Sequence, residues 1–330
     1  MLDRSVPRRI VSVTVVVVGF MAITTISPLL LAGSAVVDAV RWARTRSPWM
    51  ATRMLAFLWV YLLGEVWAVI ALGTVALLPR HRSIAATYRL QEIWASWTLG
   101  AVRGLFSLSF AVDGSTEVPP GPILVLSRHT SLIDTLLPAA YITASHGIRL
   151  RYVLKQELLV DPALDIAGNR LPNLFVARSG DRERETAAIR SVADGLDSHE
   201  GILIYPEGTR YSDEKRAALG ERLAVRGNTV GVPAGGFRRV LPPRPGGTLA
   251  LLEATRADVV VLAHRGLEGF ARVRDVWAGG LVGSTVAVRF WRIDRSAVPA
   301  GRSARVEWLF RVWAEVDAWV CGEKSLFAEE

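Results

Sequence analysis

The sequence predicts an α/β protein with a central mixed sheet flanked by helices, preceded by an apolar two-helix hairpin. The hairpin is predicted from two apolar segments: residues 10–32 carry no charge, and residues 55–78 carry only Glu65. The sheet is predicted from the chain after Asp113, where short β-branched or aliphatic runs alternate with stretches of helical spacing. With 51% hydrophobic residues and a mean hydropathy of +0.29, the composition indicates a membrane protein.

The hairpin has two possible arrangements in a membrane. Each apolar segment is long enough to cross a bilayer, and the first exceeds the roughly 7–15 apolar residues of a signal peptide, so we expect the N-terminus to be retained. The connection 33–54 carries four arginines, which disfavour its export. The segments therefore either span the bilayer twice or dip into one leaflet with the connection near the headgroups. Both arrangements place the rest of the chain on the cytoplasmic side of the cell membrane.

Three parts of the chain follow from these patterns. Residues 1–80 form the membrane-anchoring hairpin, in which Glu65 is either a functional acid or a neutral acid hydrogen-bonded to the partner helix. Residues 81–112 form an interfacial helix, because Trp94, Trp97 and three arginines suit the headgroup layer. Residues 113–330 form the α/β domain.

The α/β domain is predicted to contain six strands and several helices. The strands are ILVLS at 123–127, RLRYVLK at 149–155, LFVAR at 174–178, GILIYPEG at 201–208, VVVLAH at 259–264 and TVAVRFWRI at 285–293. A helix after Asp181 is predicted from the shared face of Ile189, Val192, Ala193 and Leu196. A C-terminal helix is predicted from the same spacing of Val306, Leu309, Phe310, Trp313 and Val316.

Composition and missing motifs exclude several classes of function. The single cysteine, Cys321, excludes an intramolecular disulfide and a cysteine-rich metal site. The chain lacks a P-loop, GxSxG, HExxH and a GxGxxG after a strand, so nucleotide-hydrolase, serine-hydrolase, zincin and Rossmann functions lose support. The net charge of +8 suits nucleic acid and anionic lipid equally, but the apolar first segment disfavours a nucleic-acid partner. Four histidines show no metal-ligand spacing with one another: His81, His146, His199 and His264.

The stretch LSRHTSLIDTLLP at 126–138 places His129 five residues before Asp134. Ser131-x-x-Asp134 fits a capping box that starts a helix, in which case His129 is only a loop residue. The same geometry folds the Asp134 carboxylate back toward His129, provided that the histidine lies outside the helix. A carboxylate that accepts from one imidazole nitrogen leaves the other able to take a proton from a hydroxyl. Both interpretations stay open on these residues alone.

The hexamer YPEGTR at 205–210 closes the fourth predicted strand. Gly208 allows a tight turn, and Arg210 can grip a phosphate through its bidentate fork. A polar turn after a buried strand is the alternative. Lys155 and Arg178 end two other predicted strands, where a surface charge is the simpler interpretation of each residue taken alone.

These blocks, in this order, resemble the glycerolipid acyltransferase family. The resemblance covers roughly residues 100–270 and follows an apolar anchor similar to that of bacterial members. HTSLID matches the HxSxxD block of the family, and YPEGTR matches its third block. NLFVARSGD at 173–181 looks like its second block, with Arg178 as the basic residue.

The resemblance implies a membrane-bound O-acyltransferase of phospholipid biosynthesis. Such an enzyme moves a fatty acyl group from an acyl thioester, on coenzyme A or an acyl carrier protein, to the free hydroxyl of lysophosphatidic acid. The expected partners are membrane lipids, the lysophospholipid acceptor and the acyl donor, with no metal, cofactor or acyl-enzyme. The implied catalytic residues are His129 as the base and Asp134 as its orienting acid. The implied phosphate-binding residues are Lys155, Arg178 and Arg210, and the motif-supporting residues are Ser131, Glu207, Gly208 and Thr209.

Two departures from the family pattern keep alternatives open. Arg128 stands where the family usually has asparagine, which either alters how the loop is held or adds a phosphate contact. DVVVLAH at 258–264 lacks the proline of the fourth block, so the acceptor can be another lysophospholipid or a phosphoglycolipid. An alternative from a different class is a membrane lipid-binding protein that has the fold without the activity.

Overall fold

The computed structural model describes residues 5–177, 181–225, 231–233 and 235–323. Its α-helices are α1 (Ser5–Thr45), α2 (Met50–Val75), α3 (Arg80–Phe106), α4 (Ala144–His146), α5 (Pro162–Arg170), α6 (Arg182–Ser191), α7 (Asp213–Val225), α8 (Pro245–Ala254), α9 (Val273–Ala278) and α10 (Arg302–Val320). Its strands are β1 (Ser109–Asp113), β2 (Ile123–Ser127), β3 (Arg149–Lys155), β4 (Leu174–Val176), β5 (Glu200–Ile204), β6 (Asp258–Arg265) and β7 (Thr285–Ile293).

The chain divides into two compact units. The hairpin unit comprises Met1–Ser109, Leu154–Ala177 and Arg272–Thr285, and the sheet unit comprises Phe110–Val153, Arg178–Ala271 and Val286–Glu330. Each unit therefore combines segments that are distant in the sequence. The three-part division predicted along the chain stays a prediction.

The strands form one sheet in the order β1-β7-β6-β2-β5-β3-β4. Strand β2 pairs in parallel with β5 and with β6, β5 pairs in parallel with β3, and β6 pairs antiparallel to β7. In the central register, Leu124 lies opposite Ile202 on one side and Val259 on the other. Every residue of β2 and β5 is buried, as expected for parallel strands covered on both faces. The predicted α/β class with a mixed sheet is confirmed.

Most of the predicted strands lie where the apolar runs placed them, but some boundaries differ. The fourth strand ends at Ile204, because Tyr205 to Arg210 form a turn. The helix after Asp181 ends at Ser191, so Val192 and Ala193, predicted to continue its face, lie in a turn, and Leu196 lies outside regular structure. Strand β1 was not predicted, because its alternating exposed and half-buried residues carry no clear apolar run. In α10, Leu309, Phe310, Trp313 and Val316 are buried as their spacing predicts.

The two N-terminal helices form a tighter hairpin than the sequence predicts. Helix α1 continues to Thr45, so the connection is only residues 46–49 rather than 33–54. The turn is held by Asp38, whose fully buried carboxylate accepts from the backbone N–H groups of Ala51 (2.9 Å) and Thr52 (2.8 Å). These are unpaired donors at the start of α2, so an acid of one helix caps the next. Both helices are long and apolar enough to cross a membrane.

Candidate active site

The site lies at the carboxyl ends of parallel strands in the sheet unit. Strand β2 ends at Ser127, two residues before His129, and β5 ends at Ile204, directly before the YPEGTR turn. Strand β6 ends at Arg265 and carries His264. Because β2 is parallel to β5 and to β6, these residues meet at one edge of the sheet, where open α/β folds place their sites.

His129 and Asp134 form a hydrogen-bonded pair. His129 Nδ1 is 2.9 Å from Asp134 Oδ1, and the histidine side chain is 14% exposed whereas the aspartate is fully buried. Because a carboxylate only accepts, Nδ1 carries the hydrogen and donates it. The other nitrogen, Nε2, has no partner among the described residues. The arrangement can therefore accept a proton at Nε2 and stabilise the resulting charge through Asp134.

The capping interpretation of the same residues also holds. Ser131 Oγ accepts from the backbone N–H groups of Ile133 and Asp134, both at 3.1 Å, and Asp134 Oδ2 accepts from the N–H of Ser131 at 2.7 Å. This reciprocal pair of bonds is a capping box. The first turn, Ile133–Leu136, is a 3₁₀ helix rather than the expected α-helix. The Asp134 carboxylate therefore has two roles. Its Oδ2 atom caps the 3₁₀ turn, and its Oδ1 atom accepts the hydrogen bond from His129.

Asp134 remains ionised despite its burial. Burial alone would raise the pKa of its carboxyl, but the hydrogen bonds from His129 and His264 outweigh that cost and hold the pKa well below its usual range. The backbone N–H of Thr130 also donates to Oδ2 at 2.6 Å. A permanently charged orienting acid is what a base needs at neutral pH.

The YPEGTR turn contacts the His129 loop through Glu207. The buried carboxyl accepts from the backbone N–H of His129 at 3.4 Å and from that of Leu241 at 3.3 Å. Burial raises the pKa of Glu207 to about 8, against the lowering effect of Arg128. Gly208 adopts φ +65°, and its N–H donates to the carbonyl of Tyr205 at 2.9 Å, which closes the turn.

Tyr205 and Tyr211 bracket the turn and both contact His129. The ring of Tyr205 lies against the imidazole, with centroids 4.5 Å apart and planes at 33°. The backbone N–H of Tyr211 donates to the carbonyl of His129 at 2.8 Å. The turn thus fixes both the ring and the backbone of His129.

Arg210 presents a half-buried guanidinium in the turn, for which the described residues provide no hydrogen-bond or ion-pair partner. Its carbonyl accepts from Lys215 Nζ at 3.0 Å, and the same ammonium donates to Thr209 Oγ1 at 3.0 Å. Thr209 therefore helps to fix the backbone that carries Arg210. A guanidinium held in this way can bind a phosphate.

The other two predicted cations differ in what the structure describes. Lys155 is the last residue of β3 and belongs to the hairpin unit, with a half-buried side chain. Arg178 lies outside the described residues. The structure thus brings His129, Asp134, Ser131 and the Glu207–Arg210 segment together in the sheet unit.

Arg128 is a structural residue. Its side chain contacts protein groups and is not available for the phosphate contact that the sequence left open. The side chain is completely buried. Nη1 donates to the carbonyl of His264 (2.5 Å) and to Glu268 Oε1 (2.7 Å), and Nη2 donates to the carbonyl of Arg239 (2.7 Å). The guanidinium therefore holds the loop, which was the other interpretation of this departure.

Sequence reasoning missed two residues of the site. His264 contacts Asp134 at 3.5 Å, although the sequence shows only that it has no metal-ligand spacing with the other histidines. Its position at the end of the apolar run VVVLAH was the available signal. Tyr205 was treated only as part of a turn, and a ring stacked on His129 has no sequence signal. Among the described residues, no group of three or more histidine, cysteine or acidic side chains is arranged to hold a metal ion.

Comparisons of the sequence with known proteins show similarity to acyltransferases. The family model described as Acyltransferase matches residues 109–263. A 1-acyl-sn-glycerol-3-phosphate acyltransferase of Pseudomonas aeruginosa is 27% identical over 150 residues, 44% of this chain. The chain is therefore similar to acyltransferases over the residues that contain His129, Asp134 and the YPEGTR turn. The match spans only about half, 53%, of the Pseudomonas protein.

A solved structure has a similar fold. The crystal structure of the 1-acyl-sn-glycerophosphate (LPA) acyltransferase PlsC from Thermotoga maritima matches with a TM-score of 0.53 and 18% identity. The match covers 80% of this chain and 95% of that one. At 18% identity, this similarity shows the fold alone.

Proposed function

We propose that this chain is an O-acyltransferase that moves a fatty acyl group from an acyl thioester to the free hydroxyl of lysophosphatidic acid, giving phosphatidic acid. The observation that carries the proposal is the His129–Asp134 pair at 2.9 Å, with Nε2 of His129 left available at the strand ends. The match to the Acyltransferase family model and the name of the Pseudomonas relative support the same reaction.

The proposed chemistry is general-base catalysis. His129 Nε2 removes the proton from the acceptor hydroxyl as its oxygen attacks the thioester carbonyl, and Asp134 stabilises the protonated imidazole. Collapse of the tetrahedral intermediate breaks the carbon–sulfur bond. The protonated His129 then returns its proton to the thiolate that leaves, so the free thiol and the new ester are the products.

The proposed acceptor site uses the cations. Arg210 binds the phosphate of the acceptor and thereby places its hydroxyl beside His129, with Lys155 and Arg178 as further phosphate ligands. Support comes from the half-buried Arg210 guanidinium and from the Tyr211–His129 bond, which links its segment to the base across 2.8 Å.

The proposed location is the cytoplasmic side of the cell membrane, with the hairpin in one leaflet. Helix α1 exposes an apolar stripe along its length, as a lipid-facing helix does. The stripe comprises Val11, Val15, Val18, Leu29, Val36 and Val40. Its other side packs against α2 in the hairpin unit.

The two ends of α1 support this in-plane arrangement. Near its start, Arg8 and Arg9 bind the buried Asp165 of α5, with Arg8 Nε 2.9 Å from Oδ2. Near its end, Arg41 donates to the carbonyl of Trp277 in α9 at 3.1 Å. At 1.5 Å per residue the two ends are about 50 Å apart, more than the roughly 30 Å of a hydrocarbon core. Two full spans would place α5 and α9 on opposite sides of the bilayer, although both belong to the same compact unit.

The reaction is tested with the purified full chain in mixed micelles. Labelled acyl-CoA or acyl carrier protein is offered with lysophosphatidic acid, other lysophospholipids and a monoacylglycerol. We expect acylation of lysophosphatidic acid, and we expect His129→Ala to lose about 10²–10⁴ in rate while it still binds lipid. His199→Ala, at an exposed residue directly before β5, is the matched control and should keep its activity.

Each alternative predicts a different result in this assay. Preferred transfer to another lysolipid would replace the proposed acceptor within the same chemistry. Equal transfer to the monoacylglycerol would refute the phosphate-binding role of the cations. Lipid binding without transfer to any acceptor would favour the non-catalytic protein.

A further inference from the structure

His264 is a second imidazole at the Asp134 carboxylate. It is fully buried at the end of β6, and its Nε2 atom lies 3.2 Å from the carbonyl oxygen of Arg128 and 3.5 Å from Asp134 Oδ2. Both of these oxygens accept hydrogen bonds, so Nε2 carries the imidazole hydrogen. The buried Nδ1 has no hydrogen-bond partner among the described residues, as suits an unprotonated nitrogen.

Arg128 and His264 hold each other by reciprocal hydrogen bonds. The imidazole of His264 donates to the carbonyl of Arg128, and the guanidinium of Arg128 donates to the carbonyl of His264 at 2.5 Å. The backbone N–H of Arg128 also donates to the carbonyl of Leu262 at 3.0 Å. Because Arg128 directly precedes His129, these bonds fix the backbone from which the proposed base extends.

We propose that His264 is a positioning residue of the acyl-transfer site, which holds Asp134 through the oxygen that His129 does not use. One carboxylate then serves two imidazoles, with Oδ1 turned to His129 and Oδ2 to His264. The same Oδ2 atom accepts from the backbone N–H groups of Thr130 and Ser131, so His264 adds a side-chain contact at 3.5 Å to an oxygen that the loop also holds. The inference rests on the proposed function of His129 as the base.

Among the described titratable or charged side chains around Asp134, none replaces the His264 contact at Oδ2. The other titratable or charged side chains near Asp134 and His264 come from the β2 loop, the YPEGTR turn and the segment after β6: Arg128, His129, Tyr205, Glu207 and Glu268. Glu207 and Glu268 bind backbone N–H groups and Arg128, and the Tyr205 hydroxyl has no partner among the described residues. Among these side chains, only His129 donates to an oxygen of Asp134.

Loss of the His264 donor should shift the pH profile of kcat/KM in a predictable direction. With one donor fewer, Asp134 is protonated more easily, and its remaining charge holds protonated His129 more tightly. Both effects move the acidic limb of kcat/KM to higher pH. Because this contact is long, at 3.5 Å, we expect a shift of about 0.5–1 pH unit.

The test compares two variants of similar side-chain length in the full chain. His264→Gln keeps an N–H donor, whereas His264→Met has none. Acyl transfer from acyl-CoA to lysophosphatidic acid is measured against pH, with Tm recorded for each variant. We expect His264→Met to lose about tenfold in kcat with the shifted limb, and His264→Gln to recover the wild-type limb. Val260→Ala, buried in the same strand, should lower Tm and leave the limb unchanged.

Other outcomes overturn the inference. If the acidic limb of kcat/KM lies at the same pH in His264→Met and His264→Gln, the His264 donor does not act on Asp134. An equal shift in Val260→Ala, or a His264→Met chain that does not fold, would assign His264 a structural role only. His129→Ala is assayed in parallel: if it retains activity, the proposed function itself fails, whereas an inactive His129→Ala confines any failure to His264.

Discussion

The backbone N–H of Tyr211 donates to the carbonyl oxygen of His129 across 2.8 Å. This bond joins the two sequence blocks of the site, which are about 80 residues apart in the chain. The turn that precedes Tyr211 also places the ring of Tyr205 against the imidazole and the carboxyl of Glu207 near the His129 backbone. The conformation of the turn therefore determines the position of His129.

Substitution of Gly208 should reduce activity by distorting this turn. Gly208 has φ +65°, which costs about 1 kcal/mol or more for a residue with a Cβ, and an added Cβ would meet the Arg244 side chain at 3.0 Å. We expect Gly208→Ala to lower kcat several-fold, measured by release of free coenzyme A. Gly220→Ala in α7, where a Cβ has open space, is the control and should raise Tm slightly. An unchanged kcat in Gly208→Ala would show that the turn geometry does not reach His129.

Substitution of Arg210 should weaken binding of a phosphate-bearing acceptor. A charge-assisted contact contributes about 1.5–3 kcal/mol, so Arg210→Ala should raise KM for lysophosphatidic acid about 10- to 100-fold and leave KM for acyl-CoA nearly unchanged. Arg210→Lys should restore part of the loss, because it keeps the charge without the fork. Arg222→Ala, exposed on α7, is the matched control. An equal effect at both arginines would indicate a general electrostatic effect.

Tyr205 should act through its ring rather than its hydroxyl. The hydroxyl is buried and has no partner among the described residues, whereas the ring lies 4.5 Å from the imidazole. We expect Tyr205→Phe to keep activity within about twofold and Tyr205→Leu to lose about tenfold in kcat, in line with the 0.5–1.5 kcal/mol of an aromatic pair. A large loss in Tyr205→Phe would instead show that the hydroxyl acts on substrate.

Glu207 should make the protein less stable as pH rises. Burial raises the pKa of this carboxyl to about 8 in the folded chain, so the folded state holds a proton that the unfolded state releases near 4.5. The free energy of unfolding therefore falls between about pH 4.5 and 8. Tm measured over this range should fall more steeply for the wild type than for Glu207→Gln, whose side chain does not ionise. Parallel slopes would show that Glu207 is ionised throughout.

The hairpin should keep its connection on the cytoplasmic side. In a Cys321→Ser background, a cysteine at the exposed position 46 should react with an impermeant maleimide only after the cells are opened. Glu221→Cys in α7 of the sheet unit, in the same background, provides the cytoplasmic reference. Labelling of position 46 in intact cells would favour two full spans.

Much of the fold follows from local sequence. Runs rich in β-branched and aliphatic residues predicted the strands β2, β3 and β7 with their observed bounds. The ordered blocks predicted His129, Asp134 and the YPEGTR turn, since Ser131 and Asp134 form a capping box that is local in the chain. The same spacing is what brings the carboxylate back to His129.

Only the tertiary structure decided which distant residues complete the site. His264 and Arg128 are 136 residues apart and meet because β6 pairs in parallel with β2, a pairing that no local pattern encodes. The guanidinium of Arg128, which the sequence left free to bind either the loop or a phosphate, is used by the loop because it is buried among carbonyl groups. Likewise, α1 extends past its apolar segment because Asp38 caps α2 across the turn. Local patterns determine the helices and strands, whereas burial and strand pairing determine which groups each polar side chain contacts.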